Sequence, residues 1–147
     1  MKKIIILTLF SIVYVFCTAQ SESDIFGEWF NEEKDAVVTI YKDGNSISGK
    51  TTWLKEPLDS KGNAKLDLKN PDEKLRSRKR MGLKIMHSFK YNEQNNVWEE
   101  GRIYDPKKGK LYGGSATLVN ENELKLKGYI ISMPFLGRTA TWTRKTN

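Results

Sequence analysis

Eight short stretches of β-prone residues, set apart by tight-turn sequences, constrain this chain more than any other feature. They run Ile25 to Phe30, Ala36 to Lys42, Ser46 to Leu54, Leu83 to Tyr91, Val97 to Tyr104, Leu111 to Val119, Glu123 to Ile131 and Arg138 to Arg144. Asp43-Gly44-Asn45 joins the second to the third, a strong hairpin signal between β-rich runs. Asn92 to Asn95 and Asp105-Pro106-Lys107-Lys108-Gly109 make the next turns, the latter with Pro suited to a first corner and Gly to a positive φ. Even spacing with short connections predicts an antiparallel meander, and closing it removes the unpaired edges. The expected fold is therefore all-β, an eight-stranded up-and-down barrel. The ends of the chain fit closure: Gly27-Glu28-Trp29 opens the first strand and Trp142-Thr143-Arg144 ends the last. Once the two strands meet, Arg144 would pack over Trp29 with cation–π character.

One connection breaks the rhythm. Lys55 to Gly82 is too long for a structureless loop inside a small domain. Part of it reads as one short helix, Pro71 to Met81: Asn70 as N-cap, Pro71 at the first helical position, Glu73 completing a capping box, Gly82 as the stop. That helix would carry Lys74, Arg76, Arg78, Lys79 and Arg80, with only Leu75 and Met81 to dock it across a barrel mouth.

The first nineteen residues have the anatomy of a secretory leader. Lys2-Lys3 precede the apolar run Ile4 to Phe16, which is too short to span a bilayer comfortably, and Thr18-Ala19 put small residues before a cut. Cleavage is expected after Ala19, leaving a single domain over residues 20–147, exported to the periplasm or beyond. Phe16 and Tyr14 occupy the positions where a lipobox wants a small residue and Leu, so Cys17 is not expected to be acylated. Cys17, the one cysteine, would leave with the leader. The mature protein would then have neither disulfides, nor thiolate metal sites, nor a cysteine nucleophile. Losing Lys2 and Lys3 also takes the net charge from +7 to +5. A basic balance suits nucleic acid or an anionic surface, but no nucleic-acid motif is present, and a solvated lysine-rich surface accounts for it.

Several landmarks stand in order along the chain. They are Gly27-x-Trp29, Gly49-Lys50 with Trp53-Leu54, Asp67-x-x-Asn70-Pro71-Asp72 with Leu75-Arg76-x-Arg78, and Gly82-Leu83. Trp98-x-x-Gly101-x-Ile103-Tyr104-Asp105-Pro106, Gly109-Lys110-x-Tyr112, Gly128-Tyr129 and the tail Phe135-x-Gly137-Arg138-Thr139-x-Thr141-Trp142-Thr143-Arg144 follow. Together they resemble the bacterial secreted family catalogued as domain of unknown function 2147. The Gly-x-Trp and terminal Arg are similar to those of the calycins, the lipocalin-like closed barrels. Lys79 departs from the pattern, which has Pro after Arg78. The resemblance implies an exported calycin-like barrel and no activity.

Strand parity sorts the side chains into faces. The expected inner sets are Ile47, Gly49, Thr51 and Trp53; Leu83, Ile85, His87, Phe89 and Tyr91; Tyr112, Gly114, Ala116 and Leu118; Leu124, Leu126, Gly128 and Ile130; and Arg138, Ala140, Trp142 and Arg144. Inward Gly49, Gly114 and Gly128 either let strands bend or leave volume for a guest. The fifth strand is ambiguous: Trp98, Glu100, Arg102 and Tyr104 share one face, Val97, Glu99, Gly101 and Ile103 the other. A bulge at Gly101 would let Trp98 and Ile103 both point in, and is the favoured reading. Candidate pocket-lining residues are Trp53, His87, Phe89, Trp98, Arg102, Tyr112 and Arg138; Gly27, Trp29, Trp142 and Arg144 are assigned to closure. His87 reads either as a neutral core histidine or as a ligand contact, and Arg138 as an ion-pair partner or an anion-binding fork.

No catalytic constellation is legible. The single histidine cannot supply a metal shell alone, and Asp59-x-x-Gly62-Asn63 with Asp67 lacks the order of a calcium loop. Glu99 and Glu100 are adjacent in a strand and point to opposite faces, so they cannot work as an acid/base pair. The expectation is a non-enzymatic barrel without cofactor or metal that binds a small apolar or amphiphilic molecule, with peripheral contact to an anionic membrane surface through its basic segment. The alternative is a structural or interaction protein of the cell envelope whose barrel is filled by side chains. Cavity volume separates the two, an apolar pocket of ~300 Å³ or more favouring binding.

Overall fold

The computed structural model describes residues 20–146. The expected leader, residues 1–19, lies outside the described residues. Eight antiparallel strands close into one barrel in chain order: β1 (Gly27–Phe30), β2 (Ala36–Asp43), β3 (Ser46–Leu54), β4 (Lys84–Asn92), β5 (Val97–Asp105), β6 (Lys110–Asn120), β7 (Glu123–Ile130) and β8 (Met133–Arg144). β8 starts five residues earlier than its sequence pattern suggests, because Met133 pairs with Ile130 and Gly137 with Tyr129. The tight turns fall where Gly44 and Gly109 hold positive φ of 61° and 68°.

Closure rests on few backbone pairs and one side chain. β1 pairs with β8 only at Trp29↔Arg144 and Phe30↔Thr143. The Arg144 guanidinium lies 4.2 Å from the Trp29 ring centre. It also donates to the carbonyls of Asp24 (2.7 Å), Phe26 (2.8 Å) and Glu121. A 3-10 turn at Glu22–Ile25 plugs this end of the barrel. Ile25 is fully buried, its carbonyl accepts from Trp29 Nε1 at 2.9 Å, and the Glu22 carbonyl accepts from Trp98 Nε1 at 3.1 Å. Above the plug, Val38, Ile40, Ile47, Met86, Phe89 and Leu124 fill the core.

Bulges correct the simple parity. The extra residue Glu100, with φ of 59°, sits where the β5–β6 register slips between Trp98 and Gly101. Trp98, Gly101 and Ile103 therefore all turn inward, and Glu100 pairs with Lys90 in solvent at 2.7 Å. In β4, register slips around Ile85 and Ser88 (φ 57°) bring Met86 and Phe89 into the core. His87 turns outward instead, beside Arg102 of β5. In β3 a slip opposite Val37 and Val38 sends Trp53 outward; it stays 41% exposed and meets Phe30 edge-on at 6.0 Å.

The Lys55-to-Gly82 connection is not built around an eleven-residue helix. Its one helical element is a 3-10 turn of three residues, Glu73–Leu75, whose N-cap is Asp72, accepting from Lys74 N–H, while Asn70 Oδ1 accepts from Asp72 N–H before the turn begins. The reason is a backbone pairing that α-helical geometry forbids: Leu66 bridges Lys79, Asp67 N–H donates to Arg78, and Arg80 N–H donates to Lys65. Leu75 and Met81 offer too little apolar surface to compete with that ladder.

Candidate functional site

The core does not fill the barrel. At the end opposite the plug, a cavity of ≈ 760 Å³ opens to solvent. Its wall comes from the upper, inward positions of seven strands: Val38 of β2, Thr51 and Leu54 of β3, Ile85 of β4, Ile103 of β5, Tyr112 of β6, Leu126 of β7, and Ala140 and Trp142 of β8. Alternation puts these residues inside, and the β4 bulge lets Ile85 line the cavity while Met86 packs below it.

Glycines decide how much space is left. The Cβ position of Gly49 is taken by Met86 and Val38 at 3.0–3.2 Å, and that of Gly114 by Phe89 and Ile103 at 2.7–2.9 Å. Both accommodate neighbouring core side chains. Gly128 differs: a Cβ there would meet nothing nearer than Tyr112 at 3.8 Å and Ile103 at 3.9 Å, and it faces the cavity.

Polar groups are confined to the rim. Lys55, Lys65, Arg80, Lys107, Lys108 and Arg138 supply cations, against Glu33, Asp35, Glu56 and Asp105. Lys107 bonds Asp35 at 2.7 Å, Lys65 bonds Glu56 at 3.1 Å, and Arg138 pairs with Glu32. Burial pushes the Asp35 carboxyl up, but hydrogen bonds from Lys107 and Asn31 outweigh it and hold the group below the usual carboxylate range. Among the described residues, Lys55 and Arg80 have no carboxylate partner. Arg80 gives its N–H groups to the Leu66 and Pro106 carbonyls at 3.1 and 3.2 Å, which fixes the guanidinium at the mouth with its charge uncompensated.

Behind Arg80 the connection is pinned by a buried polar cluster. Asp67 is fully buried; it accepts from Tyr104 Oη at 2.6 Å, Asn70 Nδ2 at 2.8 Å and Arg78 Nη2 at 3.0 Å. Burial raises the Asp67 pKa, and these three donors overcome that and lower it. Burial and the facing Asp67 push the Tyr104 phenol up to about 12, so it remains a donor. The landmark residues of the long connection thus converge on one cluster beside the mouth.

The residues singled out from sequence divide three ways. Tyr112 and Arg138 line the cavity, Tyr112 on the wall and Arg138 on the rim. Phe89 and Trp98 are fully buried in the packed core, and their volume is part of what closes the floor. Trp53, His87 and Arg102 lie on the outer side of the barrel, displaced by the bulges. Burial and the neighbouring Lys84 charge lower the His87 pKa, so the ring is held neutral. Gly27, Trp29, Trp142 and Arg144 gather at the β1–β8 seam and the core beside it; a Cβ on Gly27 would sit 3.0 Å from the Arg144 guanidinium. Ile85, Leu126 and Ala140 are legible by parity yet not singled out. Arg80 is expected over a mouth only as part of the basic helix, and it reaches the rim without that helix; Lys55 and Lys107 carry no signal, since loops bring them there.

Comparison with known proteins agrees with this architecture. A solved structure from Helicobacter pylori, protein HP1028, described as belonging to the lipocalin family, superposes with a TM-score of 0.63 at 20% identity. The match covers 76% of this chain and 73% of that one, and at this identity it speaks for the fold. Comparison with curated proteins finds no match. Residues 27–144 match the family described as "Uncharacterized protein conserved in bacteria (DUF2147)". This chain, a lipocalin-like closed barrel, belongs to that family.

Proposed function

We propose that this protein binds one small apolar or amphiphilic molecule inside the barrel, without catalysing a reaction on it, after export and removal of residues 1–19. The observation that carries the reading is the ≈ 760 Å³ cavity standing above a fully packed core. A barrel serving only as scaffold has no need of such a space, since eight strands enclose a volume that side chains can fill. The size lies within the range of small-molecule sites, and the mainly apolar wall of aliphatic and aromatic side chains favours an apolar body. The uncompensated Arg80 and Lys55 at the mouth favour a guest whose polar end is acidic.

Native mass spectrometry of the protein purified from its own host tests the reading. A co-purifying guest, or displacement of an apolar fluorescent reporter by long-chain carboxylates, is the expected result. A guest-free protein that also takes up no reporter would overturn it. The same intact mass tests processing: a mature chain starting at Gln20 without an acyl adduct is expected, and a diacylglycerol adduct on Cys17 refutes it.

A further inference from the structure

The hairpin between β7 and β8 carries large apolar side chains on its outside. Ile130, Ile131, Met133, Phe135 and Leu136 are all exposed, Phe135 to 78%. The register jumps from Tyr129↔Gly137 to Ile130↔Met133, so Pro134 to Leu136 swing out of the ladder instead of packing. Exposed Leu111 faces Ile130 and Ile131 across a shallow groove that also holds Lys110. Scattered exposed apolar residues are ordinary, but a contiguous projecting cluster marks a contact surface.

The charges around the tip say what that contact is. Lys107, Lys108 and Lys110 stand between residues 106 and 113, and Lys127 and Arg138 between 127 and 138. Lys107, Lys108 and Arg138 pair with Asp35, Asp105 and Glu32, whereas Lys110 and Lys127 have no carboxylate partner among the described residues. We propose that this tip docks on an anionic lipid bilayer, the apolar side chains entering the headgroup–acyl boundary while the cations meet acidic head groups. An apolar tip flanked by lysine fits such an interface. Protein interfaces are depleted in lysine, and a second copy of this chain would set like charges against each other. Ile130 and Leu136 also line the cavity, so the docked barrel presents its mouth to the membrane. This moves the expected membrane contact from the basic segment to the hairpin, and it requires no guest.

Flotation of the guest-free mature chain tests the docking, using vesicles of phosphatidylcholine alone or mixed with phosphatidylglycerol. Binding is expected only to the mixed vesicles, and to weaken with salt. Phe135→Ser with Ile131→Ser should lower it by about tenfold or more, and Lys110→Gln with Lys127→Gln, neither of which lines the cavity, should do likewise. Leu68→Ser, an exposed apolar site in the long connection, should leave it unchanged. Phe135→Trp gives an independent readout, with the added indole fluorescence quenched by brominated lipid. The proposal is overturned if wild type ignores both vesicles, if the tip variants bind as wild type does, or if the fluorescence added by Phe135→Trp stays unquenched. It is also overturned if the tip mediates only a dimer that Phe135→Ser abolishes. Reporter uptake by the cavity, measured on the same variants, keeps this result separate from the reading of the cavity.

Discussion

Glycines in this barrel do opposite work depending on what lies above them. Gly128 faces open cavity and has ordinary contact distances at its Cβ position. Gly128→Leu is therefore expected to leave the melting temperature near wild type and to weaken guest or reporter binding by about tenfold or more, as extra side-chain carbons occupy an apolar pocket. Gly114→Ala should behave in the reverse way, because Phe89 and Ile103 already stand at 2.7–2.9 Å from the new methyl. A loss of about 1–3 kcal/mol is expected from overpacking. Denaturant midpoints and a reporter titration on both variants check the pair; a Gly128→Leu protein that binds at full affinity would show that the guest sits elsewhere. Alternation put both glycines inside, but the sequence held nothing to tell a filled inner position from an empty one.

The long connection is the element whose behaviour depends most on its side chains. Its buried cluster joins three landmark positions, Asp67, Asn70 and Arg78, to Tyr104 on β5. Tyr104→Phe is expected to cost about 1–3 kcal/mol, since Asp67 loses a donor while remaining buried. The pH dependence follows from the two shifts. Asp67 has a folded pKa below its ordinary 3.8, so its contribution is present at neutral pH and lost as pH falls from about 4 through the depressed folded value. Tyr104 is raised from 10.0 to about 12, so its contribution is present below pH 10 and lost as pH rises through that interval. Melting temperatures of wild type and Asp67→Asn should therefore converge on acidification below pH 4. Constant separation down to pH 2 would show that Asp67 does not titrate as argued. Hydrogen exchange should find the amides of Asp67 and Arg80, which pair across the connection, slower than that of Lys74, which donates only to the exposed Asp72 carboxylate. The helix read from the Asn-Pro start and basic run was a sound local reading. It lost to a pairing between residues 65–67 and 78–80 that no local pattern shows.

The whole molecule is held shut at one seam. β1 contributes two register pairs to β8, far fewer than the long ladders elsewhere, so side chains must supply what the backbone does not. Trp29→Ala is expected to destabilise the fold by about 3–5 kcal/mol, as a fully buried indole is lost from the core. Arg144→Ala should also destabilise, and the two should couple in a double-mutant cycle because the guanidinium stacks on the indole. Arg144→Lys should not restore wild-type stability: one ammonium cannot stack on Trp29 and also reach the carbonyls of Asp24, Phe26 and Glu121. Denaturant midpoints of the four proteins in the cycle decide it, and additivity would dismiss the seam as the coupling element.

The sequence by itself determined the strands, their antiparallel order and the closing pair Trp29 and Arg144. These follow from period-two alternation, turn chemistry and the residue types at the two ends, all of which are local. Only the tertiary structure decided which side chains see the cavity. The β5 bulge expected at Gly101 falls at Glu100, but single-residue bulges at Ile85 and Ser88, which reset the parity of β4, and a slip in β3 that put Trp53 outside were not legible. A bulge is fixed by how neighbouring strands fit together, such as Phe89 settling over Gly101 and Gly114, which lie in two other strands. The basic segment was legible as lying over a mouth, but how Arg80 is held there was not, because its guanidinium is fixed by hydrogen bonds to carbonyls 14 and 26 residues away. Contacts that far apart along the chain leave no period and no spacing to read.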